Sequence, residues 1–258
     1  MVFNRIKKYY GFYDNPKLLL SLPISKRSMV LKALVLYSNF MGEGDLFKAK
    51  YKSFGIKWGG TESAINGFLS MISQSKNDLP QYIQDIRPLL HHNEQLYIRF
   101  LAVTGMRPRE GMEAFNLIIK LSHEGRLNEY YNESLQCLEH YNFREIFFRR
   151  TKNSFISFVD AMFIKDIAAV NSPVNYNRIQ CCLKRNNKPI KLKQLRSYHN
   201  TFLYKRGIQS ELIDMISGRV SQTVFSRHYL TVNLKEQSPV FISAQEACYE
   251  AIMKNPAL

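Results

Sequence analysis

Three stretches in the second half of the sequence carry basic side chains at spacings suited to binding a phosphate. TGMRPRE places Arg107 at a turn, and KLKQLRSYH places Lys193 and Arg196 three residues apart, on one face of a helix. ISGRVSQTVFSRHYL has Arg219 directly after a glycine and Tyr229 ten residues later. Arginine suits a phosphate because its planar guanidinium binds two oxygens at once and stays charged.

These residue types meet the needs of a phosphodiester cleavage that uses no metal. Such a reaction needs a nucleophile in line with the leaving oxygen, cationic donors for the non-bridging oxygens, and a proton for the leaving 5′ oxygen. A tyrosine nucleophile, here Tyr229, forms a phosphotyrosine that conserves the bond energy. The motifs therefore predict a reaction that can reverse onto a new strand.

The sequence resembles the tyrosine recombinase (phage integrase) family over roughly residues 80–232. TG-M-R-x-x-E is similar to the box I motif of that family. KxLR, followed by Gly207 and then by GR and RHY, is similar to box II. Most bacterial members have histidines where this sequence has Lys193 and Arg219. In that respect it is most similar to the archaeal integrases, including those of archaeal viruses and plasmids.

The resemblance implies a role for each basic residue of the motifs. Arg107 and Arg196 would bind the scissile phosphate, and Arg219 would contact it as well. Lys193 would form hydrogen bonds or transfer protons. Tyr229 would attack the phosphorus and form a 3′-phosphotyrosine.

The family also has a lysine in a β-hairpin between the two boxes, which protonates the leaving 5′ oxygen. Lys152 in RRTKN is the candidate here, with Arg149 and Arg150 as alternatives. The implied activity is site-specific recombination or integration, with no cofactor. Three other functions remain open: resolution of chromosome or plasmid dimers, a topoisomerase-like nicking activity, and DNA binding by a relative that has lost catalysis.

Four residues near the motifs are interpreted as structural. We expect Tyr198 and His199 to be helix-packing residues, and Arg109 to be a surface charge at a helix terminus. His228, beside the nucleophile, is expected to give structural support.

The elements that must position these residues are predicted to be mainly α-helical with one small antiparallel β-sheet, an α+β fold. Hydrophobic spacing and capping signals predict a helix over 25–42, with Ser25 as N-cap and Gly42 as C-cap. Pro108 is expected to open another helix. The alternating stretch 144–159 predicts a β-hairpin with RRTKN as its turn. Further helices are predicted over 61–73, 93–103, 172–184, 193–206, 209–217 and 243–254.

A polar stretch that ends in proline, SQSKNDLP at 73–80, marks a domain boundary. We expect a helical core-DNA-binding domain over residues 1–78 and a catalytic domain over residues 79–258, together forming a C-shaped clamp around double-stranded DNA. The family implies a homotetramer acting on two DNA duplexes. The C-terminal helix 243–254, with Ser243 and Glu246 as a capping box, is expected to dock either on its own domain or on a neighbouring protomer.

The charge balance independently favours a polyanionic partner. The sequence has 36 Lys+Arg against 21 Asp+Glu, a formal net charge of +15. Nucleic acid is the preferred partner and an anionic membrane surface the main alternative. No apolar run approaches the length of a membrane span, and the N-terminal residues lack the apolar region and the cleavage site of a secretory signal, so we expect a cytoplasmic, nucleoid-associated protein. A small-molecule substrate is not expected.

The four cysteines, Cys137, Cys181, Cys182 and Cys248, form no CxxC pair. All four are expected to be buried or half-buried thiols. The histidines form no HxxxH pair with a nearby carboxylate, so the sequence predicts no metal site.

Overall fold

The computed structural model describes residues 2–56, 65, 69, 78–149, 152–219 and 232–254. The chain divides into two compact units, Met1–Lys76 and Asn77–Leu258. Three residues singled out from the sequence lie outside the described residues: Arg150, His228 and Tyr229. Of the helix predicted over 61–73, only residues 65 and 69 are described, and both are helical. For Lys152 the structure describes the backbone but not the side chain.

The described part of the first unit is helical. It contains α1 (Val2–Tyr9), α2 (Gly11–Asp14), a 3-10 turn (Pro16–Ser21), α3 (Ile24–Phe40) and α4 (Gly44–Ser53). Helix α3 confirms the predicted helix over 25–42, and its buried residues pack against Leu19 and against Phe47 and Tyr51 of α4. These apolar side chains form a core that belongs to the first unit alone.

The ends of α3 differ from the prediction. Pro23, not Ser25, is the N-cap residue. The helix ends at Phe40, and Met41, its C-cap residue, is half exposed. Gly42 follows with a φ of +77°, which suits glycine and turns the chain toward α4.

The second unit packs its helices around α6. The helices are α5 (Leu79–Ile86), α6 (His92–Thr104), α7 (Pro108–His123), α8 (Arg144–Phe147), α9 (Ala161–Ala168), α10 (Tyr176–Arg185), α11 (Gln194–Lys205), α12 (Ser210–Ile216) and α13 (Leu234–Met253). Short 3-10 turns lie at Arg87–Leu89, Leu127–Glu129 and His140–Asn142. The fully buried side chains of Tyr97, Phe100 and Leu101 place α6 in the centre of the core. Pro108 is the first residue of α7, as predicted.

A small antiparallel sheet completes the predicted α+β fold. Strands β1 (Tyr131–Asn132), β2 (Cys137–Glu139) and β5 (Ile156–Phe158) lie side by side in the order β1-β2-β5. Strands β3 (Phe148–Arg149) and β4 (Lys152–Asn153) form a separate two-stranded hairpin in which Arg149 is opposite Lys152.

The hairpin is therefore shorter than the predicted 144–159. The residues before it, Arg144–Phe147, form one helical turn. The residues after it, Ile156–Phe158, pair with β2 instead of extending the hairpin. All three are buried, and the Phe158 ring stacks on Phe241 at 5.1 Å, so burial in the core decides which strand they join.

Two helix starts were predicted wrongly. The helix predicted from residue 172 begins at Tyr176, because the Asn175 side chain accepts hydrogen bonds from the backbone N–H groups of Asn177 and Arg178. The C-terminal helix begins at Leu234, where Asn233 caps it, and it runs through Pro239. Because helix interiors disfavour proline, the sequence pattern predicts a start after Pro239 and misses the five residues before it.

Helix α13 packs on its own domain, against α5, α6 and α11, and buries Phe241, Cys248 and Ile252. Glu246 is therefore not a capping residue. It forms an ion pair with Arg99 of α6 at 3.0 Å, and the Arg99 guanidinium lies over the Phe163 ring.

Three of the four cysteines are placed as predicted. Cys137 and Cys248 are buried, which raises the pKa of each thiol to about 12, and Cys182 is half-buried. Cys181 is exposed, contrary to the prediction, because α10 turns Ile179 and Leu183 toward the core instead.

Within the described ranges, no cluster of His, Cys, Asp and Glu could hold a metal ion, and no helix is long and apolar enough to cross a membrane.

A buried histidine joins the three-stranded sheet to the base of the hairpin. His140 Nε2 lies 2.9 Å from the Ser157 hydroxyl on β5, and Nδ1 lies 2.7 Å from the Tyr130 hydroxyl. The ring also packs against Phe147, directly before β3, with ring centroids 4.5 Å apart. Complete burial lowers the pKa of His140 to about 3, so it is neutral in the folded protein at ordinary pH.

This burial predicts a loss of stability in weak acid. The unfolded chain protonates residue 140 near pH 6.5, whereas the folded chain does not until about pH 3. The free energy of unfolding should therefore fall by about 2 kcal/mol between pH 7 and pH 5 on account of this group. Urea unfolding of wild type and of His140→Phe at both pH values measures this change in the free energy of unfolding. The variant loses two hydrogen bonds but cannot titrate, so its pH dependence should be shallower, and equal slopes would contradict the burial.

Candidate phosphate-binding site

The turn between α6 and α7 positions Arg107. Gly105 ends α6 with a φ of +60°, and a β-carbon there would lie 2.3 Å from His199 Nδ1, so the close approach requires glycine. Arg107 is the N-cap residue of α7, and Nη1 is paired with the buried carboxylate of Glu110 at 2.7 Å. One buried acid thus fixes one end of the guanidinium, and about a quarter of the Arg107 side chain stays exposed.

Arg196 is held at both ends of its guanidinium by backbone carbonyls. Nη1 donates to the Gly105 carbonyl at 3.0 Å, and Nη2 donates to the Ser217 carbonyl at 2.5 Å. These carbonyls follow the last residues of α6 and α12, where helices leave carbonyls without a partner and carry partial negative charge. A single guanidinium therefore caps two helices and still keeps further N–H donors.

The turn after α12 positions Arg219 and also contacts the hairpin. The Arg219 backbone N–H donates to the Asp214 carbonyl at 2.8 Å, and its exposed guanidinium pairs with the Asp214 carboxylate at 3.2 Å. Gly218 has a φ of +70°, and a β-carbon there would lie 1.7 Å from the Asn153 carbonyl oxygen. The backbone of β4, which includes Lys152, is thus packed directly against the Arg219 turn.

Three guanidinium groups from three separate segments converge here. Burial, together with the positive charges of Arg107 and Arg219, lowers the pKa of Arg196 to about 10, against weaker opposition from Glu110 and Asp214. Arg196 is therefore still protonated at neutral pH. Repulsion among the three cations is relieved when an anion binds between them, so the site is suited to a phosphate.

The structure thus brings together Arg107, Arg196 and Arg219. Lys193 is the exposed N-cap residue of α11, three residues before Arg196, and no hydrogen bond or ion pair of its side chain occurs within the described part of the chain. Lys152 lies on β4 by its backbone, and Tyr229 lies outside the described residues.

Of the four residues interpreted as structural, three are described by the structure, and His228 is not. His199 is fully buried, Tyr198 packs against the main core, and Arg109 is exposed at the start of α7.

Sequence reasoning missed the groups that hold the arginines. Glu110 is the acid of the TGMRPRE stretch, and its spacing of three residues from Arg107 was a usable signal for a pair on one helix face. Asp214 lies five residues before Arg219, and the Ser217 contact is made by a backbone carbonyl. A backbone acceptor leaves no signature in residue type, so no sequence pattern could have found it.

Comparison with known families agrees with this geometry. A family model described as archaeal phage integrase matches residues 89–239, which is more than half of the chain and includes every predicted site residue. The chain belongs to the archaeal phage integrase family. No curated protein and no solved structure matches it. For this integrase the partner is DNA, and the formal charge of +15 is consistent with that partner.

The contact between Gly218 and β4 predicts a specific cost of substitution. Gly218→Ala places an alanine in the left-handed region and also brings its β-carbon into collision with the Asn153 carbonyl. Gly207→Ala, at a φ of +82°, has the same left-handed strain but no atom within 4 Å of the new β-carbon. The integrase should lose about 1 kcal/mol of unfolding free energy at Gly207 and clearly more at Gly218. Urea unfolding of the two variants compares them. Equal losses would show that the hairpin does not pack on this turn.

Proposed function

We propose that this integrase is a tyrosine-type site-specific recombinase that cleaves and rejoins DNA through a 3′-phosphotyrosine on Tyr229, without a metal ion. The observation that carries the proposal is the convergence of Arg107, Arg196 and Arg219 on one site. The fixed positive charge of these arginines provides the stabilisation that a metal ion provides in other phosphoryl-transfer enzymes.

The way the arginines are held supports a role in the transition state. Arg196 is fixed by two carbonyls and Arg107 by a buried carboxylate before any DNA arrives. Donors that are already oriented need little reorganisation as charge builds on the non-bridging oxygens. Arg219, which is more exposed, would close around the same phosphate.

The proton balance assigns the remaining roles. The Tyr229 hydroxyl gives its proton to water as its oxygen bonds to phosphorus, and the bond from phosphorus to the leaving 5′ oxygen breaks as that oxygen gains a proton. Lys152 is the proposed donor to that oxygen, and the packing of β4 on the Arg219 turn supports this choice over Arg149. Lys193, one helical turn before Arg196, is proposed to bind the same phosphate or to carry protons. Rejoining is the reverse, with a 5′ hydroxyl attacking the phosphotyrosine.

The proposal extends to DNA binding and assembly. Residues 1–78 are proposed to hold the duplex while residues 79–258 carry out the chemistry. Of the 36 Lys+Arg, 12 fall in the first 76 residues, against 4 of the 21 Asp+Glu, and this excess supports a DNA-holding role. Strand exchange between two duplexes needs four cleavages, so we propose that four copies act together.

Replacing the nucleophile tests the chemistry. Tyr229→Phe removes only the attacking oxygen, so it should abolish covalent complex formation and leave DNA binding unchanged. A duplex nicked near the cleavage site traps the covalent complex, because the short fragment that carries the released 5′ hydroxyl diffuses away. A denaturing gel, with EDTA present, then shows a slow-migrating protein–DNA adduct for wild type alone. An adduct of equal yield from Tyr229→Phe would exclude Tyr229 as the nucleophile.

Replacing the central arginine tests the phosphate site. Arg196→Ala should slow cleavage of the trapped substrate by about 100-fold to 1,000-fold, the effect of losing one pre-oriented donor to the transition state. Arg126→Ala is the matched control, since the Arg126 guanidinium is paired with Glu124 and Glu129 on the surface. Cleavage by Arg196→Ala at the control rate would rule out its phosphate role.

A further inference from the structure

One face of α11 links the carbonyls that hold Arg196. Arg196, His199 and Asn200 lie three and four residues apart, so they point to the same side of the helix. His199 is fully buried, and its ring lies against Gly105, where no side chain would fit. The Gly105 carbonyl accepts a hydrogen bond from Arg196 Nη1.

Hydrogen bonds continue from His199 to the second carbonyl. His199 Nδ1 is 3.1 Å from Asn200 Oδ1, and Asn200 Nδ2 donates to the Ser217 hydroxyl at 2.9 Å. The carbonyl of that same serine accepts from Arg196 Nη2. His199 and Asn200 therefore contact both turns that hold the guanidinium.

The electrostatics of His199 suit this position. Burial lowers its pKa to about 4, and this effect outweighs the opposing effects of the hydrogen bond to Asn200 and of the Val103 backbone. The imidazole is therefore neutral at physiological pH and adds no repulsion beside Arg196.

Packing alone does not account for a polar ring here. His199 Nε2 is buried and has no hydrogen-bond partner among the described residues. A buried nitrogen without a hydrogen-bond partner destabilises the folded state, and an apolar ring would avoid that cost. The ring does make a hydrogen bond to Asn200 through Nδ1, and Asn200 in turn donates to the Ser217 hydroxyl.

We propose that His199 and Asn200 are positioning residues that set the orientation of the Arg196 guanidinium. His199 and Asn200 fix the positions of the Gly105 and Ser217 carbonyls, and these carbonyls hold Nη1 and Nη2 of Arg196. The remaining N–H groups of the guanidinium then face the DNA phosphate. This inference rests on the proposed function of Arg196, and it assigns a role to two residues that touch no reacting atom.

The first test measures single-turnover cleavage of the nicked duplex at saturating DNA. Asn200→Ala should slow cleavage by about 100-fold, the scale of a small misplacement of a catalytic group, with little change in DNA affinity. Thr201→Ala, exposed on the same helix, is the matched control and should cleave at the wild-type rate. Ser217→Ala keeps the carbonyl and removes only the hydroxyl, so it provides a second, milder variant should Asn200→Ala fail to fold.

The second arm separates positioning from general damage to the fold. A methyl group in place of one non-bridging oxygen makes the scissile phosphate neutral, so the substrate depends less on Arg196. The deficit of Asn200→Ala relative to wild type should shrink on this substrate, whereas general damage slows both substrates equally. Asn200→Ala and Ser217→Ala act through one hydrogen bond, so the double variant should be no slower than the slower single variant.

A third readout does not depend on cleavage. In ¹⁵N spectra of the free protein, the two terminal nitrogens of Arg196 should give separate signals in wild type, because both are hydrogen bonded. The signals, identified by their absence in Arg196→Lys, should merge or broaden in Asn200→Ala. A wild-type protein that does not cleave DNA would refute the proposed function, but the Arg196 signals of the free protein would still test the positioning role. Wild-type cleavage, with Asn200→Ala equally fast and its Arg196 signals unchanged, would refute the positioning role.

Discussion

The hydrogen bonds from Arg196 to the Gly105 and Ser217 carbonyls join the parts of the candidate site. They connect the end of α6, the start of α11 and the end of α12, three segments far apart in sequence. Each bond satisfies a carbonyl that a helix end leaves open, and the cation also suits the negative end of each helix. Folding of the domain and positioning of the Arg196 guanidinium therefore depend on the same contacts.

Two glycines let the surrounding elements come this close. Gly105 gives space to the buried His199 ring, and Gly218 gives space to the Asn153 carbonyl of the hairpin. The hairpin is held from its other side by Phe147, whose ring packs on the neutral, buried His140. The strand that includes Lys152 is thus fixed between the three-stranded sheet and the Arg219 turn, where the proposed mechanism needs a proton donor to the leaving oxygen.

Sequence reasoning predicted the helices that have clear hydrophobic spacing and the residues that have diagnostic chemistry. It predicted α3, α6, α11 and α12 to within a few residues, and it found the three arginines that converge. It was wrong where tertiary packing overrides local preference. Burial of Ile156–Phe158 draws these residues to β2, and α13 continues through Pro239 because Phe241 and residues beyond it are buried. It also missed the carbonyls that hold Arg196, since a backbone acceptor has no residue type.

The central claim is that Tyr229 forms a covalent bond to the 3′ side of a DNA break. The most direct measurement is mass spectrometry of the trapped protein–DNA complex after digestion with trypsin and a nuclease. The account predicts one modified peptide, residues 228–235 (HYLTVNLK), with a nucleotide attached to the tyrosine through its 3′ phosphate. Attachment to any other residue, or through a 5′ phosphate, would contradict it.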